Sequence, residues 1–283
     1  MADCARPLRS VLYIPASNGR ALDKARGLPA DAIIFDLEDA VAPDEKPAAR
    51  AVLADTLAAG GYGARLRLVR VNGLGTEWGR ADIEAFRNSD IDGLLVPKVD
   101  APEDVGAVAG LAPGVPVWAM METARGILNA GRMADHPALA GFIMGTNDLA
   151  RELTSQSRAA LLTSLQTCLL AARAAGIPCV DGVFNAFRDE DGLRAECIEG
   201  RAMGFDGKTL IHPAQLATTN DAFAPAVAEI ELARRQIAAH EEAERSGQGV
   251  AVLDGRIVEN LHVVTARATL AKAEAIAKME ALT

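Results

Sequence analysis

The stretch Val115-Pro116-Val117-Trp118-Ala119-Met120-Met121-Glu122-Thr123-Ala124-Arg125-Gly126 indicates how this chain folds. It opens with an unbroken run of apolar residues and proline, and a carboxylate, Glu122, follows where that run ends. Such a run predicts a parallel strand that is covered on both faces. The stretch Gly141-Phe142-Ile143-Met144-Gly145-Thr146-Asn147-Asp148-Leu149 repeats the plan with Asp148. Two carboxylates at the C-terminal ends of such strands are predicted to share one Mg²⁺.

Short apolar runs alternate with segments of helical pattern along most of the chain. The eight runs are Ser10–Pro15, Ala32–Leu37, Leu66–Val71, Gly93–Pro97, Val115–Met121, Gly141–Gly145, Ile177–Asp181 and Lys208–His212. This alternation predicts βαβ units around a parallel sheet, and eight units in about 210 residues suit a (β/α)₈ barrel. A doubly wound open sheet is the alternative, but no Gly-rich phosphate fingerprint follows the first strand. We therefore predict an α/β protein with a TIM barrel over residues 1–220.

The pattern changes after the eighth run. Pro225–Arg245 and Leu261–Ala281 read as amphipathic helices, and Val250–Val258 reads as a hairpin that turns at Asp254-Gly255. Residues 221–283 are thus predicted to form a C-terminal helix–hairpin–helix extension. Its core is too small to stand alone, so we expect it to pack on the barrel or on a neighbouring subunit.

Composition excludes several classes of protein. The net charge of −9 argues against nucleic acid or an anionic membrane surface as a general partner. No apolar run reaches the ~18 residues that span a bilayer, and the N-terminus lacks the features of a signal peptide. We therefore expect a cytoplasmic enzyme. Its cysteines show no CxxC spacing and are expected to be reduced thiols; they are Cys4, Cys168, Cys179 and Cys197.

Polar residues collect where the predicted strands end, which is where barrel enzymes build their active sites. They are Ser17, Asn18, Asp36, Glu38, Asp39, Arg70, Asn72, Lys98, Glu122, Asp148, Asp181 and His212. Each of them also has a structural explanation, because a polar residue after a strand is often a helix cap or a solvated loop residue. For Asp39, Lys98 and Asp181 both interpretations stay open, but the recurrence after nearly every strand favours an active site.

Six motifs in order carry a resemblance to a known family. They are Arg9-Ser10-Val11-Leu12-Tyr13-Ile14-Pro15, Asp36-Leu37-Glu38-Asp39-Ala40-Val41-Ala42-Pro43, Arg70-Val71-Asn72, Glu122-Thr123-Ala124-Arg125-Gly126, Gly204-Phe205-Asp206-Gly207-Lys208 and Ile211-His212-Pro213. With them the chain resembles the citrate lyase β-subunit-like CoA-ester lyases of the HpcH/HpaI aldolase superfamily, from Arg9 to the last helix. It is most similar to the malyl-CoA branch, which contains both lyases and a thioesterase.

The resemblance implies a role for each matching residue. Glu122 and Asp148 correspond to the ligands of Mg²⁺, for which Mn²⁺ is expected to substitute. Arg70 corresponds to a catalytic, substrate-binding arginine that Asp36 and Glu38 would orient. The substrate and its CoA group would contact Tyr13, Asn18, Lys24, Arg70, Asn147, Asp148, Ile211 and His212.

The sequence departs from the family at two places. Asn18 stands where relatives have an arginine, and Arg20 is the candidate replacement. Gly145-Thr146-Asn147-Asp148 replaces a Gly-Ala-Glu-Asp motif, which keeps the aspartate but removes a neighbouring negative charge.

The resemblance also implies an oligomer. Glu259 corresponds to an aspartate that in many relatives reaches into the active site of the neighbouring subunit as an acid or base. The alternative is that Glu259 only opens the last helix, where the helix dipole favours a carboxylate. We expect a homo-oligomer, built on trimers, whose C-terminal segment contributes to the adjacent active site.

The expected reaction is Mg²⁺-dependent cleavage, or condensation, of a malyl-CoA-like thioester, which yields glyoxylate with acetyl-CoA or propionyl-CoA. The first alternative is a thioesterase that hydrolyses (3S)-malyl-CoA to malate and CoA. Motifs for the metal and for CoA do not separate these reactions, because both begin from the same bound complex. Further alternatives are a citryl- or citramalyl-CoA lyase subunit, a non-catalytic subunit, and an aldolase that acts on free 2-oxo acids.

Overall fold

The computed structural model describes residues 6–247 and 250–282. These form two compact units, Leu8–Phe223 and Ala224–Leu282, and each is described by itself. The first unit is a closed barrel of eight parallel strands in sequential order, as predicted. Its strands are β1 (Ser10–Pro15), β2 (Ala32–Asp36), β3 (Leu66–Arg70), β4 (Gly93–Val96), β5 (Val117–Met121), β6 (Leu139–Met144), β7 (Cys179–Asp181) and β8 (Gly207–Leu210).

Helices follow the strands of the barrel, and all but the last of them connect successive strands. They are α1 (Gly19–Ala25), α2 (Lys46–Ala59), α3 (Gly79–Phe86), α4 (Pro102–Leu111), α5 (Ala124–Leu128), α6 (Ala130–Ala134), α7 (Thr146–Glu152), α8 (Arg158–Ala175), α9 (Glu190–Met203) and α10 (Leu216–Phe223), with short 3₁₀ turns at Pro43–Glu45 and Pro213–Gln215. Each crossover thus returns the chain to the same end of the sheet, and the C-terminal ends of all eight strands meet at one rim.

Side chains alternate along each strand between the barrel interior and the surrounding helices. The interior is filled by an apolar cluster that contains Val11, Ala32, Ile34, Leu66, Leu68, Leu95, Trp118, Met120, Ile143 and Val180. Asp36, Arg70 and Glu122 each come two residues after a member of this cluster, so they point to the same inner face. The alternation therefore places three charged side chains as the last interior layer, at the C-terminal end of the barrel.

The strand boundaries differ from the prediction where proline or pairing intervenes. β5 begins at Val117 rather than at residue 115, since Pro116 has no N–H with which to pair. β7 begins at Cys179 rather than Ile177, because the Ile177 N–H instead closes the end of α8. β6 begins at Leu139, earlier than predicted, and pairs with Val117 before a shift in register.

Asp181, for which a functional and a structural interpretation were open, points away from the barrel mouth into a buried ion network. Its Oδ2 lies 3.0 Å from Lys208 Nζ, and both carboxylate oxygens accept hydrogen bonds from Arg158. Glu196 of α9 pairs with the same two cations. The network joins β7 and β8 to α8 and α9, so Asp181 has a structural role.

The second unit contains α11 (Val227–Arg245), β9 (Ala251–Leu253), β10 (Arg256–Val258) and α12 (Asn260–Glu280). The two strands form the antiparallel hairpin that the sequence predicted, with positive φ at Asp254 and Gly255 as a type I′ turn requires. The helix–hairpin–helix order is confirmed. The buried core is small and consists of Ala243, Ala251, Val258 and Val263, with Ile237 and Leu253 packed against it.

None of the helices in the described parts of the chain is long and apolar enough to span a bilayer. Cys168, Cys179 and Cys197 are unpaired and buried, whereas Cys4 lies outside the described residues. Burial raises the pKa of the Cys168 thiol to about 12 and raises the pKa of the Cys179 thiol well above its ordinary value. These thiols therefore stay protonated at neutral pH and do not act as nucleophiles.

Candidate active site

A cavity of about 360 Å³ opens at the C-terminal ends of the barrel strands. Its lining contains Tyr13, Asp36, Arg70, Glu122, Asn147, Asp148 and Ile211, all of which were predicted from the sequence to belong to the site. Pro15, Asp39, Ala40, Met120, Met144, Gly145, Thr146 and Val183 complete it. The structure therefore brings most of the candidate residues to one place, from strands and loops far apart in the sequence.

Arg70 is the cation at the centre of this cavity. Its Nε and Nη2 donate to the two oxygens of Asp36, at 2.7 and 2.6 Å, as a bidentate pair. Its Nη1 lies 3.0 Å from Glu38 Oε2 and 3.5 Å from Asp39 Oδ2. Burial alone would lower the pKa of Arg70, but the charge of Asp36 and its hydrogen bonds reverse the effect and raise it. Arg70 is thus a fixed, permanent positive charge.

Asp36 is held as firmly as the arginine that it orients. Its Oδ1 accepts the main-chain N–H of Glu38 at 2.9 Å, and its Oδ2 accepts that of Ala40 at 3.2 Å. The loop after β2 therefore fixes the carboxylate, and the carboxylate fixes the guanidinium of Arg70. This agrees with the orienting role expected for Asp36.

Tyr13 packs against Arg70 on the other side. The Arg70 guanidinium carbon lies 5.0 Å from the centre of the Tyr13 ring, within the range of a cation–π contact. Burial raises the pKa of the Tyr13 hydroxyl above its ordinary value. The phenol consequently stays protonated, and its O–H donates to Sδ of Met120 at 3.9 Å in the cavity lining.

Glu38 does not line the cavity but lies behind it, between two cations. Its Oε1 accepts a 2.6 Å hydrogen bond from Lys98 Nζ. Its Oε2 faces Arg70 as an ion partner but receives no well-aligned hydrogen bond. Burial raises the pKa of Glu38, and the charge of Arg70 opposes that rise. The expectation that Glu38 acts through Arg70 fits this position.

Glu122 presents one carboxylate oxygen to the protein and the other to the cavity. The main-chain N–H of Lys98 donates to Oε1 at 2.8 Å. A Cβ at Gly145 would lie 2.5 Å from both Cβ and Oε2 of Glu122, so glycine at this position lets the Glu122 side chain pack directly against the main chain. Burial, reinforced by the charge of Glu38, raises the pKa of Glu122 to about 7. A buried carboxylate of this kind is stabilised by a nearby cation.

Asp148 lies in the first turn of α7 and lines the same cavity as Glu122. One of its oxygens pairs with Arg151 one helical turn later. Among the described residues no three His, Cys, Asp or Glu side chains cluster as a ready metal cage. Mg²⁺ needs no such cage, because it is commonly held by one or two carboxylates, with water and substrate as its remaining ligands. Glu122 and Asp148, which line one cavity, fit that pattern.

Three predicted substrate-binding residues lie outside the cavity lining. Asn18 is exposed and caps α1, since its side chain accepts the Ala21 N–H at 3.1 Å. Lys24 is exposed on the last turn of α1. His212 is exposed, accepts the Ala214 N–H through Nδ1, and stacks on Phe187 with ring centres 4.7 Å apart.

Glu259 belongs to the second unit and is exposed. It stands at the N-cap position of α12, but its carboxylate makes no capping hydrogen bond. Its main-chain N–H instead donates to Nδ1 of His262 at 2.9 Å. The N-cap position agrees with the interpretation that Glu259 only opens the last helix. Its carboxylate makes no capping hydrogen bond, so the carboxylate is available to another partner.

Sequence reasoning missed the partners that hold the predicted residues in place. Asn147 and Asn185 exchange side-chain hydrogen bonds, at 2.7 and 3.3 Å, between the first turn of α7 and the loop after β7. Lys98 connects Glu38 to Glu122. In the sequence, only the position of Lys98 at the end of the fourth strand pointed to a role in the site. Nothing in the sequence marks Asn185, an amide side chain in a loop.

Comparison with known proteins places these features in a family. The model for HpcH/HpaI aldolase/citrate lyase matches residues 9–213. A (3S)-malyl-CoA thioesterase of Cereibacter sphaeroides is 68% identical over 98% of both chains. Citrate lyase subunit beta of Escherichia coli is 35% identical over 95% of this chain and 94% of that one.

A solved structure is similar to this chain over nearly its whole length. The crystal structure of CitE from Mycobacterium tuberculosis, in complex with magnesium, acetoacetate and coenzyme A, has a TM-score of 0.80 at 32% identity, and covers 96% of this chain and 99% of that one. The resemblance that the motifs indicated is confirmed, and the chain belongs to the HpcH/HpaI aldolase/citrate lyase family.

Proposed function

We propose that this protein is a Mg²⁺-dependent thioesterase that hydrolyses (3S)-malyl-CoA to malate and CoA. The observation that carries the proposal is that Arg70 and the carboxylate pair Glu122 and Asp148 face one cavity. The 68% identity to a (3S)-malyl-CoA thioesterase favours hydrolysis over the C–C cleavage that the sequence alone put first. Cleavage remains the second candidate, because citrate lyase subunit beta is 35% identical.

The size of the cavity limits which part of the substrate it takes. At about 360 Å³ it is near the lower end of small-molecule sites, so it suits the malyl group and the thioester. The nucleotide of CoA must then lie outside it. We assign the exposed residues Asn18, Lys24 and His212 to that outer part of the substrate.

Arg70 would stabilise the negative charge that develops on the thioester oxygen. In hydrolysis, water adds to the thioester carbonyl carbon, the C–S bond breaks, and CoA leaves as the thiol while malate forms. Because Asp36 already fixes the guanidinium, little reorganisation is needed when that charge appears. The same cation would stabilise an enolate in C–C cleavage, so Arg70 serves both candidate reactions.

Glu122 and Asp148 would hold Mg²⁺, and Mn²⁺ would substitute for it. The ion supplies a Lewis acid that orients the hydroxyl and carboxylate of the malyl group. Gly145 leaves the Glu122 side chain its place in the cavity wall, because a Cβ there would lie 2.5 Å from both Cβ and Oε2 of Glu122. The protonated Tyr13 would donate a hydrogen bond to the substrate at the opposite wall of the cavity.

We further propose that Glu259 reaches the active site of a neighbouring subunit in a trimer-based homo-oligomer. Its carboxylate is exposed and makes no capping hydrogen bond within its own helix. The exposed apolar side chains Val227, Leu261 and Val264 of the same unit provide surface for such a contact. The chain's unpaired buried thiols suit the reducing cytoplasm, where we place the enzyme.

The test is a product analysis with (3S)-malyl-CoA. Free CoA is measured with a thiol reagent, while glyoxylate and acetyl-CoA are measured separately in the same reaction. Hydrolysis predicts equal amounts of CoA and malate, with no glyoxylate, and complete loss of the reaction on chelation. Glyoxylate with acetyl-CoA and no free thiol would overturn hydrolysis in favour of cleavage. Glu122→Gln is the inactive control.

A further inference from the structure

Lys98, directly after the fourth barrel strand, has an unusual main-chain conformation. Its φ of 52° lies in the left-handed region, which among the described non-glycine residues is shared only by Thr154 and Asp254. Residues with a Cβ are disfavoured there because the Cβ crowds the following carbonyl oxygen. Such a conformation persists only where surrounding contacts impose it, and it is often found at functional sites.

Two contacts hold Lys98 in this conformation, one through its side chain and one through its main-chain N–H. The ammonium donates to Glu38 Oε1 at 2.6 Å, and the main-chain N–H donates to Glu122 Oε1 at 2.8 Å. Glu38 is itself held against Arg70, whose position Asp36 fixes. The lysine is therefore tied through its side chain to a rigid charged cluster, and through its backbone to the carboxylate that we assign to the metal.

We propose that Lys98 is a positioning residue for the metal site: its ammonium anchors a left-handed backbone that turns the N–H toward Glu122. That hydrogen bond occupies Oε1 and leaves Oε2 as the oxygen that Glu122 can offer to an ion in the cavity that it lines. Without the anchor, a residue with a Cβ relaxes toward an ordinary conformation, the N–H turns away, and Glu122 can rotate. The proposal rests on the proposed function in one respect, namely that Glu122 is a metal ligand.

A pair of substitutions separates this role from simple charge balance. Lys98→Ala and Lys98→Gly both remove the ammonium and both free Glu38 to the same degree. They differ in the backbone, because glycine adopts positive φ readily and alanine does not. A difference in metal affinity between the two variants therefore reports the left-handed N–H, while the effect of the lost charge cancels.

The measurement is the dissociation constant of Mn²⁺, followed by electron paramagnetic resonance on the full-length protein without substrate. Lys98→Ala should bind Mn²⁺ about tenfold more weakly than Lys98→Gly, which corresponds to the cost of the left-handed region for a residue with a Cβ. Lys98→Arg, which keeps a cation within reach of Glu38, should restore most of the affinity. Lys278→Ala, on the exposed face of α12, is the matched control and should bind as wild type.

The possible results distinguish a positioning role from a merely structural one. Equal affinity in Lys98→Ala and Lys98→Gly, or wild-type affinity in Lys98→Ala, would overturn the proposal. A merely structural lysine would lower the melting temperature in Lys98→Ala without changing Mn²⁺ affinity. Lys98→Met, which keeps an unbranched side chain but has neither the charge nor a hydrogen-bond donor, repeats the alanine arm if Lys98→Ala does not fold. Undiminished Mn²⁺ binding in Glu122→Gln would instead refute the metal site itself, so the two failures are distinguishable.

Discussion

Glu122→Gln should stabilise the metal-free protein at alkaline pH although it destroys the proposed site. Burial raises the pKa of Glu122 from an ordinary value of 4.5 to about 7 in the folded chain. Between pH 4.5 and about pH 7, therefore, Glu122 is protonated in the folded state and ionised in the unfolded state. Stability from this group is fully present below pH 4.5 and is lost as pH rises through 7.

The magnitude follows from the same values. At about 1.4 kcal/mol for each pH unit, the difference between 4.5 and about 7 corresponds to about 3 kcal/mol. Glutamine is neutral and close in size to glutamate, and its carbonyl can still accept the Lys98 N–H, so the variant avoids this loss. Without metal, the free energy of unfolding of wild type should fall below that of Glu122→Gln by up to about 3 kcal/mol between pH 5 and pH 8.

Urea unfolding of both chains in a chelator, at a series of pH values, measures the effect. The other titrating groups are shared, so they largely cancel in the difference between the two curves. Excess Mg²⁺ at pH 8 should reverse the order, because only wild type binds the ion and ligand binding stabilises the folded state. Parallel pH curves in the chelator would refute the reasoning.

Four further substitutions test the site. Asp148→Asn should abolish Mg²⁺-dependent release of CoA while the melting temperature stays unchanged, as a thiol assay and a thermal melt would record. Gly145→Ala should weaken Mn²⁺ binding about tenfold or more in a titration, because its methyl group would lie 2.5 Å from both Cβ and Oε2 of Glu122 and displace that side chain. Arg70→Lys should lower kcat by about 10²-fold in steady-state kinetics, since a point charge replaces a fixed bidentate fork. Glu259→Gln should lose most turnover, and mixing it with Asp148→Asn should restore part of it in hybrid oligomers; full activity in Glu259→Gln alone would end its catalytic role.

The barrel and the carboxylate pair were predictable because each leaves a local mark in the sequence. A run such as Val117–Met121 has to be apolar when both faces of its strand are covered, and the charge that breaks the run marks the rim. The two-residue period then carries Glu122 to the inner face behind Met120. These are short-range properties of the chain, so the sequence displays them directly.

The supporting contacts were not predictable, because they depend on distances between separate loops. Nothing in the residues around Lys98 announces a positive φ, which arises from partners 60 and 24 positions away in the sequence. The early start of β6 at Leu139 likewise depends on its pairing with Val117. Asp181 looked like any other rim carboxylate, and only the packing of α8 and α9 shows that it faces outward.

The ion network around Asp181 depends on the order in which the strands of the barrel are assembled. β7 is three residues long and pairs with each neighbour at only two positions, so main-chain pairing alone holds it weakly. Lys208 arrives on β8, the last strand of the barrel to leave the ribosome, and until then Asp181 has only Arg158 to balance it. A carboxylate buried with incomplete compensation disfavours the seven-stranded intermediate. The network is thus completed only when β8 joins the barrel, and we expect chains that end before Lys208 to be less stable than the closed barrel.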